Sequence, residues 1–345
     1  MDKFAKLPAS DRAAVIGETS ANRGVAPIII EKDFWVCWTL KRLFSLSKEE
    51  AGTLVFKGGT SLSKAYAAIR RFSEDIDLSF DRADLGYGGD RDPESPKLSK
   101  KQSTRLIDEL MADVTIHVGG KLLPALDKAI AAQLGEAPKS GWSLVIDEQD
   151  PQTINFHYPP ALATADYRGI SYITPRVKLE LGARGDPWPT EHKPIRPYAA
   201  EDFPDFFEEP ETVVTVLSAG RTFWEKVTAL HAEAHRPEAS ATPQYFSRHY
   251  YDVAKLTETN EGQAAATDFT LLAQVVRHKS TYFRSGWASY DTAQPGTLRL
   301  TPVEHRLKDL RSDYRDMQSM MFDEKPLSFD DVLARVAALE ETLNG

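Results

Sequence analysis

The stretch from Lys57 to Phe80, KGGTSLSKAYAAIRRFSEDIDLSF, constrains the fold more than any other part of the chain. The apolar run Leu54-Val55-Phe56 leads into it, Leu62 to Ile69 carry helical spacing, and Ser73 to Phe80 alternate acidic and apolar residues. That pattern predicts strand, glycine turn, helix, strand. On the second strand Asp75 and Asp77 share one face, while Ile76, Leu78 and Phe80 point into a core. Two carboxylates so placed lie roughly 7 Å apart at their Cβ atoms. They can bracket one or two hard cations, Mg²⁺ or alternatively Mn²⁺. Gly58 and Gly59 let the backbone turn sharply and approach a ligand. Thr60 or Ser61 can cap the helix or hydrogen-bond a phosphate, and the free N–H groups of the helix start attract anions. Lys57 and Lys64 add positive charge. Phosphates on one side and metal-binding acids on the other suit the movement of a nucleotidyl or phosphoryl group. The bland alternative is a loop–helix–strand unit whose acids sit in solvent.

A partner strand lies downstream in Arg176 to Leu181. Its apolar face is Val177, Leu179 and Leu181, and its polar face is Arg176, Lys178 and Glu180. Paired beside Asp75–Phe80 with the apolar faces together, it brings Glu180 to the two aspartates as a third carboxylate. Strands are also expected at Trp142–Asp147, Thr153–Tyr158 and Ile173–Leu181, with part of the sheet antiparallel. A helix is expected at Glu31–Ser45, and a long one over 100–135 with an interruption near Gly119-Gly120. Residues 81–99 read as a loop, 183–210 as a connection, and Thr212–Leu217 as a strand or a helix entry. Helices are expected near 220–235, 244–258, 266–279, 303–320 and 328–343, with a long aromatic-rich loop over 281–302. The expectation is an α/β (α+β) lobe with a mixed sheet and flanking helices over residues 1–215, followed by a mainly helical lobe over 216–345.

The 345-residue chain is 41% hydrophobic and 27% charged, the balance of a folded soluble protein. Its single cysteine, Cys37, lies in an apolar stretch, which fits inert packing in a reducing compartment. The first twenty residues lack the apolar core of a signal peptide, and no apolar run approaches the ~20 residues of a spanning helix. A cytoplasmic protein without membrane association is expected. The net charge of −9 argues against broad coating of nucleic acid. It leaves room for a local basic groove at Arg70-Arg71, Lys97/Lys100/Lys101 or Arg176/Lys178. His231-Ala-Glu-Ala-His235 has zinc-compatible spacing without a clear third ligand, and reads as a polar helix face. Tyr282, Phe283, Trp287 and Tyr290, with Arg284, read as packing of the long loop, or as a stacking surface for single-stranded RNA.

KGGTSLSKAY followed by RFSEDIDLSF resembles the nucleotidyltransferase toxins of the AbiEii/AbiGii family, within the DNA polymerase β-like superfamily. EKDFWVCWTLKRLF, RVKLELGAR, FWEKVTALHAE and RHYYDVAKL extend the resemblance over roughly residues 30–260. It implies a nucleotidyltransferase lobe, a helical lobe, and transfer of a nucleotide from an NTP to an acceptor, with tRNA and a cognate antitoxin as partners. The family's glycine–serine and D-x-D motif falls on Gly59, Thr60 or Ser61, Asp75 and Asp77. Its acidic strand position falls on Glu180 with Lys178 beside it, its second-lobe lysine on Lys226, and its following aspartate on Asp252. Phe223, Val227 and Leu230 mark the buried stripe of the Lys226 helix, with Lys226 at its edge. Asp252 is either a general base or an orienter of Lys226, and its bland reading is a surface ion pair with Arg248. Ser73, expected on the strand face of Asp75, is a candidate regulatory position, because a phosphate there adds roughly −1.5 to −2 charge. The acceptor expected is the tRNA 3′ end, with pyrophosphate released. The alternatives are nucleotidylation of a protein or small molecule, and a non-catalytic nucleotide- or partner-binding module.

Overall fold

The computed structural model describes residues 1–163, 174–322 and 325–345. The chain divides into two compact units. The first comprises Met1–Ala65, Phe72–Gly88 and Asp108–Val216, and the second Tyr66–Arg71, Gly89–Ile107 and Leu217–Gly345.

In chain order the elements leading to the sheet are α1 (Asp2–Ala5), α2 (Ala9–Arg23), α3 (Pro27–Leu43), α4 (Lys48–Ala51), β1 (Leu54–Lys57), α5 (Gly58–Lys64) and β2 (Ile76–Phe80). Then follow α6 (Lys100–His117), α7 (Leu123–Leu134), β3 (Ser143–Ile146), β4 (Thr153–His157), β5 (Arg176–Gly182), β6 (Thr190–Ile195), α8 (Tyr198–Asp202) and β7 (Thr212–Leu217). Among the described residues seven strands form one mixed sheet in the order β3-β4-β5-β2-β1-β7-β6. β1 runs antiparallel to β2, and β5 parallel to it, so β2 lies between them. The strand start expected at Ile173 lies outside the described residues.

The register follows from side-chain alternation. Ile76 lies beside Leu179 and Leu78 beside Leu181, so the apolar faces of β2 and β5 coincide as the sequence predicts. Trp35 and Trp38 of α3 each approach Phe156 of β4 at 5.9 Å between ring centroids, and Trp35 stacks on Tyr158 at 5.3 Å. α3 begins at Pro27, four residues before the expected start. Proline suits a first helical turn, where its missing N–H has no partner to lose. The Gly119-Gly120 interruption is a π turn over Val118–Leu122 between α6 and α7. β6 and α8 occupy a segment expected to be a connection. β6 is an edge strand carrying Pro194 and charged residues, which masks a strand signal in sequence but is tolerated at a sheet edge.

The second unit contains α9 (Ala219–Ala234), α10 (Ser247–Leu256), α11 (Asn260–Ala265), α12 (Phe269–Tyr282), α13 (Leu307–Met317) and α14 (Phe329–Asn344). Ser218 caps α9 by accepting a hydrogen bond from the Arg221 N–H at 3.1 Å. Phe223, Val227 and Leu230 are fully buried along its inner stripe. His231, expected on a polar face, is buried instead. Its Nδ1 accepts from the Arg299 N–H at 3.1 Å, and its Nε2 meets the Ser289 carbonyl at 3.0 Å, so it pins the long loop rather than facing water.

Candidate active site

In the first unit the acids are organised by β2 and β5. Asp77 lies directly beside Glu180 in the parallel register and opposite Lys57 in the antiparallel one. Asp75 immediately precedes β2, and Ser73 lies further upstream, so neither sits on the regular strand where the sequence placed them. Asp75 is half-buried, and the environment resists its charge. Burial, then Glu74, and after them Glu180 and Asp77, push its carboxyl up to about 7 against the opposing pull of Lys32. Lys32 itself is buried on α3 and bonded to Glu74 at 2.5 Å. Lys178 pairs with Glu180 on the polar face of β5.

The glycine turn meets this acid face. Gly58 has φ +77°, and a Cβ there would stand 2.0 Å from Oδ2 of Asp77. Only a glycine lets the turn and the Asp77 carboxylate approach so closely. The Thr60 hydroxyl donates to the Asp75 carbonyl at 2.5 Å, tying the turn to the segment entering β2. The Ser61 hydroxyl donates back to the Gly58 carbonyl at 3.0 Å. Both side chains are buried, and their hydroxyl protons serve the turn.

Lys64 is not placed with these groups. Its ammonium is buried, paired with Asp33 at 2.7 Å and lies 3.6 Å from the Tyr198 ring centroid. Its charge neutralises a buried aspartate, so the phosphate contact expected of it is dropped. Ser73 lines a small cavity with Thr60, Lys64 and Tyr198.

In the second unit Lys226 and Asp252 meet. Lys226 Nζ lies 2.8 Å from Asp252 Oδ2, and both side chains are buried. Asp252 is therefore no surface partner. Its second cation is Arg71, whose Nε and Nη2 donate to Oδ1 and Oδ2 at 2.8 and 2.7 Å. Burial alone would raise the Asp252 carboxyl, but Arg71 and Lys226 outweigh it and hold the group far below the usual carboxylate range. Burial lowers Lys226 despite Asp252, with Arg71 and Arg248 adding to the lowering. Arg71 was legible in sequence only as a basic neighbour of Arg70. Its buried bidentate pair depends on a contact 181 residues away.

Residues 39–335 match the family described as nucleotidyl transferase AbiEii toxin, type IV toxin–antitoxin system. The chain belongs to this family. AbiEii membership makes it a nucleotidyltransferase toxin family member, and implies an NTP substrate and an antitoxin partner. No curated protein sequence matches it. Among solved structures, it is similar to MenT4, a nucleotidyltransferase toxin from Mycobacterium tuberculosis H37Rv. That similarity has 14% identity and a TM-score of 0.47, covering 96% of this chain and 99% of that one. Among the described residues no helix is long and apolar enough to cross a membrane.

Among the described residues, no group of three or more His, Cys, Asp or Glu is arranged to hold a metal ion. The donors of this AbiEii chain nevertheless suit Mg²⁺. They are hard carboxylate oxygens, and Mg²⁺ commonly takes one or two carboxylates, completing its shell with water and substrate phosphates. The crowding of like charge around Asp75 is the condition a bound cation relieves.

Proposed function

We propose that this AbiEii protein transfers a nucleoside monophosphate from an NTP to the 3′ end of a tRNA and releases pyrophosphate. The observation that carries the reading is the meeting of the glycine turn with the acid strands. Asp77 stands beside Glu180 in register, and the Gly58 backbone lies against the Asp77 carboxylate. Asp75, Asp77 and Glu180 are the groups that would hold Mg²⁺, which when bound supplies positive charge and Lewis acidity at the phosphates. The Gly58–Ser61 turn offers backbone N–H groups to phosphate oxygens, and Thr60 holds that turn against Asp75. Lys178 keeps Glu180 oriented and contributes charge at the same face.

Lys226 is the cation assigned to triphosphate charge. Asp252 and Arg71 position it, and Asp252 is too strongly paired to act as a proton acceptor. In the transfer, an acceptor hydroxyl oxygen forms a bond to the α-phosphorus as the bond to the β-phosphate oxygen breaks. The hydroxyl proton passes to solvent, and the electron pair leaves with pyrophosphate. Positioning and electrostatic stabilisation supply most of the rate.

The test is incubation with each α-labelled NTP, Mg²⁺ and total RNA, beside Asp77→Ala. Label on RNA with wild type, and its loss in the variant, is expected. Label on protein or a small molecule instead would replace the acceptor and keep the transferase. No transfer with any NTP would overturn the reading, and equal transfer by Asp77→Ala would overturn the site.

A further inference from the structure

We propose that the second unit carries an RNA-docking surface built on the first turns of α6 and the end of α12. The inference rests on the proposed transfer to RNA and specifies where the acceptor is held. Two sequence segments meet here. Residues 97–107 contain Lys97, Lys100, Lys101 and Arg105 and no acidic residue, and residues 269–290 contain Arg277, Lys279 and Arg284 and again none. In a chain of net charge −9, this is a pronounced local reversal. The segments are in contact. Arg284 Nη1 donates to the Lys100 carbonyl and to Thr104 Oγ1, both at 3.1 Å, and Nη2 donates to Ser103 Oγ at 3.0 Å.

The arrangement runs against what a free helix end prefers. A helix N-terminus is the positive end of its dipole and favours carboxylates. α6 has no acid in its first turn, and starts with Lys100 and Lys101. Even its cap is neutral. Ser99 and Gln102 exchange side-chain to backbone hydrogen bonds at 2.9 and 3.3 Å, with glutamine where glutamate would complement the dipole. Arg284 then lays a further cation on the same turn, satisfied by neutral oxygens.

Two of the neighbouring acids, Glu94 and Asp90, already have cationic partners. Glu94 accepts from His278 Nδ1 at 2.6 Å and lies 3.7 Å from Arg277 Nε. Asp90 lies 3.3 Å from Lys97, with both groups largely in water, where such a pair is weak. Lys100, Lys101 and Arg284 are exposed, and beside them Phe283 presents a ring that is 42% exposed.

Cations gathered at the positive end of a helix repel one another and the dipole, and a phosphate chain relieves all of these repulsions at once. The exposed aromatic beside an arginine adds a stacking platform for an unpaired base. The ligand that fits is the sugar-phosphate chain of an RNA with an unpaired terminal segment, rather than a single phosphate.

The test uses full-length protein and fluorescein-labelled bulk tRNA, without NTP or Mg²⁺, read by anisotropy over a salt series. Wild type should bind with a steep salt dependence. Lys100→Gln/Lys101→Gln should bind about tenfold or more weakly, with the log–log salt slope reduced by about 2, one for each lost phosphate contact. Phe283→Ala should weaken binding of a single-stranded RNA probe by about tenfold with its slope unchanged. Unaltered thermal melting checks that the variants fold. Equal affinity and slope for the lysine double variant would overturn the proposal. So would the absence of wild-type binding to RNA at low salt, or a defect confined to binding an acidic polypeptide. Label transfer from NTP, abolished by Asp77→Ala, is measured separately. Transfer to RNA that persists in the lysine variant with wild-type KM for RNA overturns this surface and leaves the transferase standing.

Discussion

Gly58→Ala separates the proposed chemistry from stability, because its two consequences fall on different observables. The backbone at position 58 has φ +77°, a conformation that costs an alanine about 1–2 kcal/mol. The new methyl would stand 2.0 Å from Asp77 Oδ2 and 2.8 Å from its Cγ. Both are far inside normal contact, so the carboxylate must retreat by more than about 1 Å, the scale of displacement at which catalysis can fall about 100-fold. A short side chain can rotate away at little energetic cost, so the clash adds little to the unfolding free energy. The expected result is a melting temperature lower by a few degrees and a kcat/KM for nucleotide transfer lower by about 100-fold, some 2.7 kcal/mol of transition-state stabilisation. Transfer of α-labelled NTP is the assay, with thermal melting alongside. In an Asp77→Ala background the glycine substitution should cost transfer nothing further, because its target carboxylate is gone. Transfer within threefold of wild type in a folded Gly58→Ala protein would refute the role of Asp77 at the turn. An additive loss in the double variant would refute the proposed route through that carboxylate.

Other expectations follow from single contacts. Asp252→Ala leaves Arg71 and Lys226 buried without their anion and should cost about 3–5 kcal/mol in urea unfolding. The depressed Asp252 carboxyl contributes stability that is fully present above the ordinary aspartate value near ~4 and is lost progressively as pH falls from there to the depressed folded-state value, so the wild-type urea midpoint should drop more steeply in acid than that of the variant. Gly262→Ala would put a Cβ 1.9 Å from the Leu256 carbonyl oxygen, a backbone atom that cannot rotate away, and should cost about 1–3 kcal/mol with α11 distorted. Ser73→Glu should reduce transfer by introducing charge two residues before Asp75, where the environment already opposes a carboxylate; undiminished transfer would remove the regulatory role. The Cys37 thiol is buried, and that burial pushes it well above the ordinary thiol range, so a thiol reagent should label it only after unfolding.

The pairing of β5 beside β2 was legible because both strands alternate strictly, and a one-residue slip would send Asp77 or Glu180 into the apolar core. β6 was not legible because an edge strand needs no alternation, and its proline and charges serve to keep the edge unpaired. Lys64 shows the limit of reading charge from spacing. Its place near the glycine turn suggested charge for a phosphate, but Asp33, 31 residues earlier, takes its ammonium into a buried pair. Lys32 and Arg71 were missed for the same reason. Their anions, Glu74 and Asp252, are 42 and 181 residues distant, and no local pattern announces a partner at that range.

The two units hold charge imbalances of opposite sign. In the first, Glu74, Asp75, Asp77 and Glu180 act together with Lys32 and Lys178 among them, and Asp75 is raised first by burial and then by the surplus of carboxylate. In the second, one carboxylate, Asp252, holds two cations, and Lys226 is lowered chiefly by burial, with the neighbouring Arg71 adding to it. Folding tolerates such imbalances only at a cost, because partly desolvated like charges repel. The asymmetry within the second cluster decides which cation can leave it. Arg71 is fixed by two parallel bonds and cannot lose its proton, whereas Lys226 contributes a single ammonium on a flexible stem. In the proposed function Arg71 would hold Asp252 in place when Lys226 turned to a phosphate, so that Asp252 would not bear an unpaired charge. A general base has to accept a proton near neutral pH, which a carboxylate held by an arginine fork is poorly placed to do. In the proposed transfer the cluster would serve as a preset cation for polyphosphate, with Asp252 orienting Lys226 rather than taking a proton.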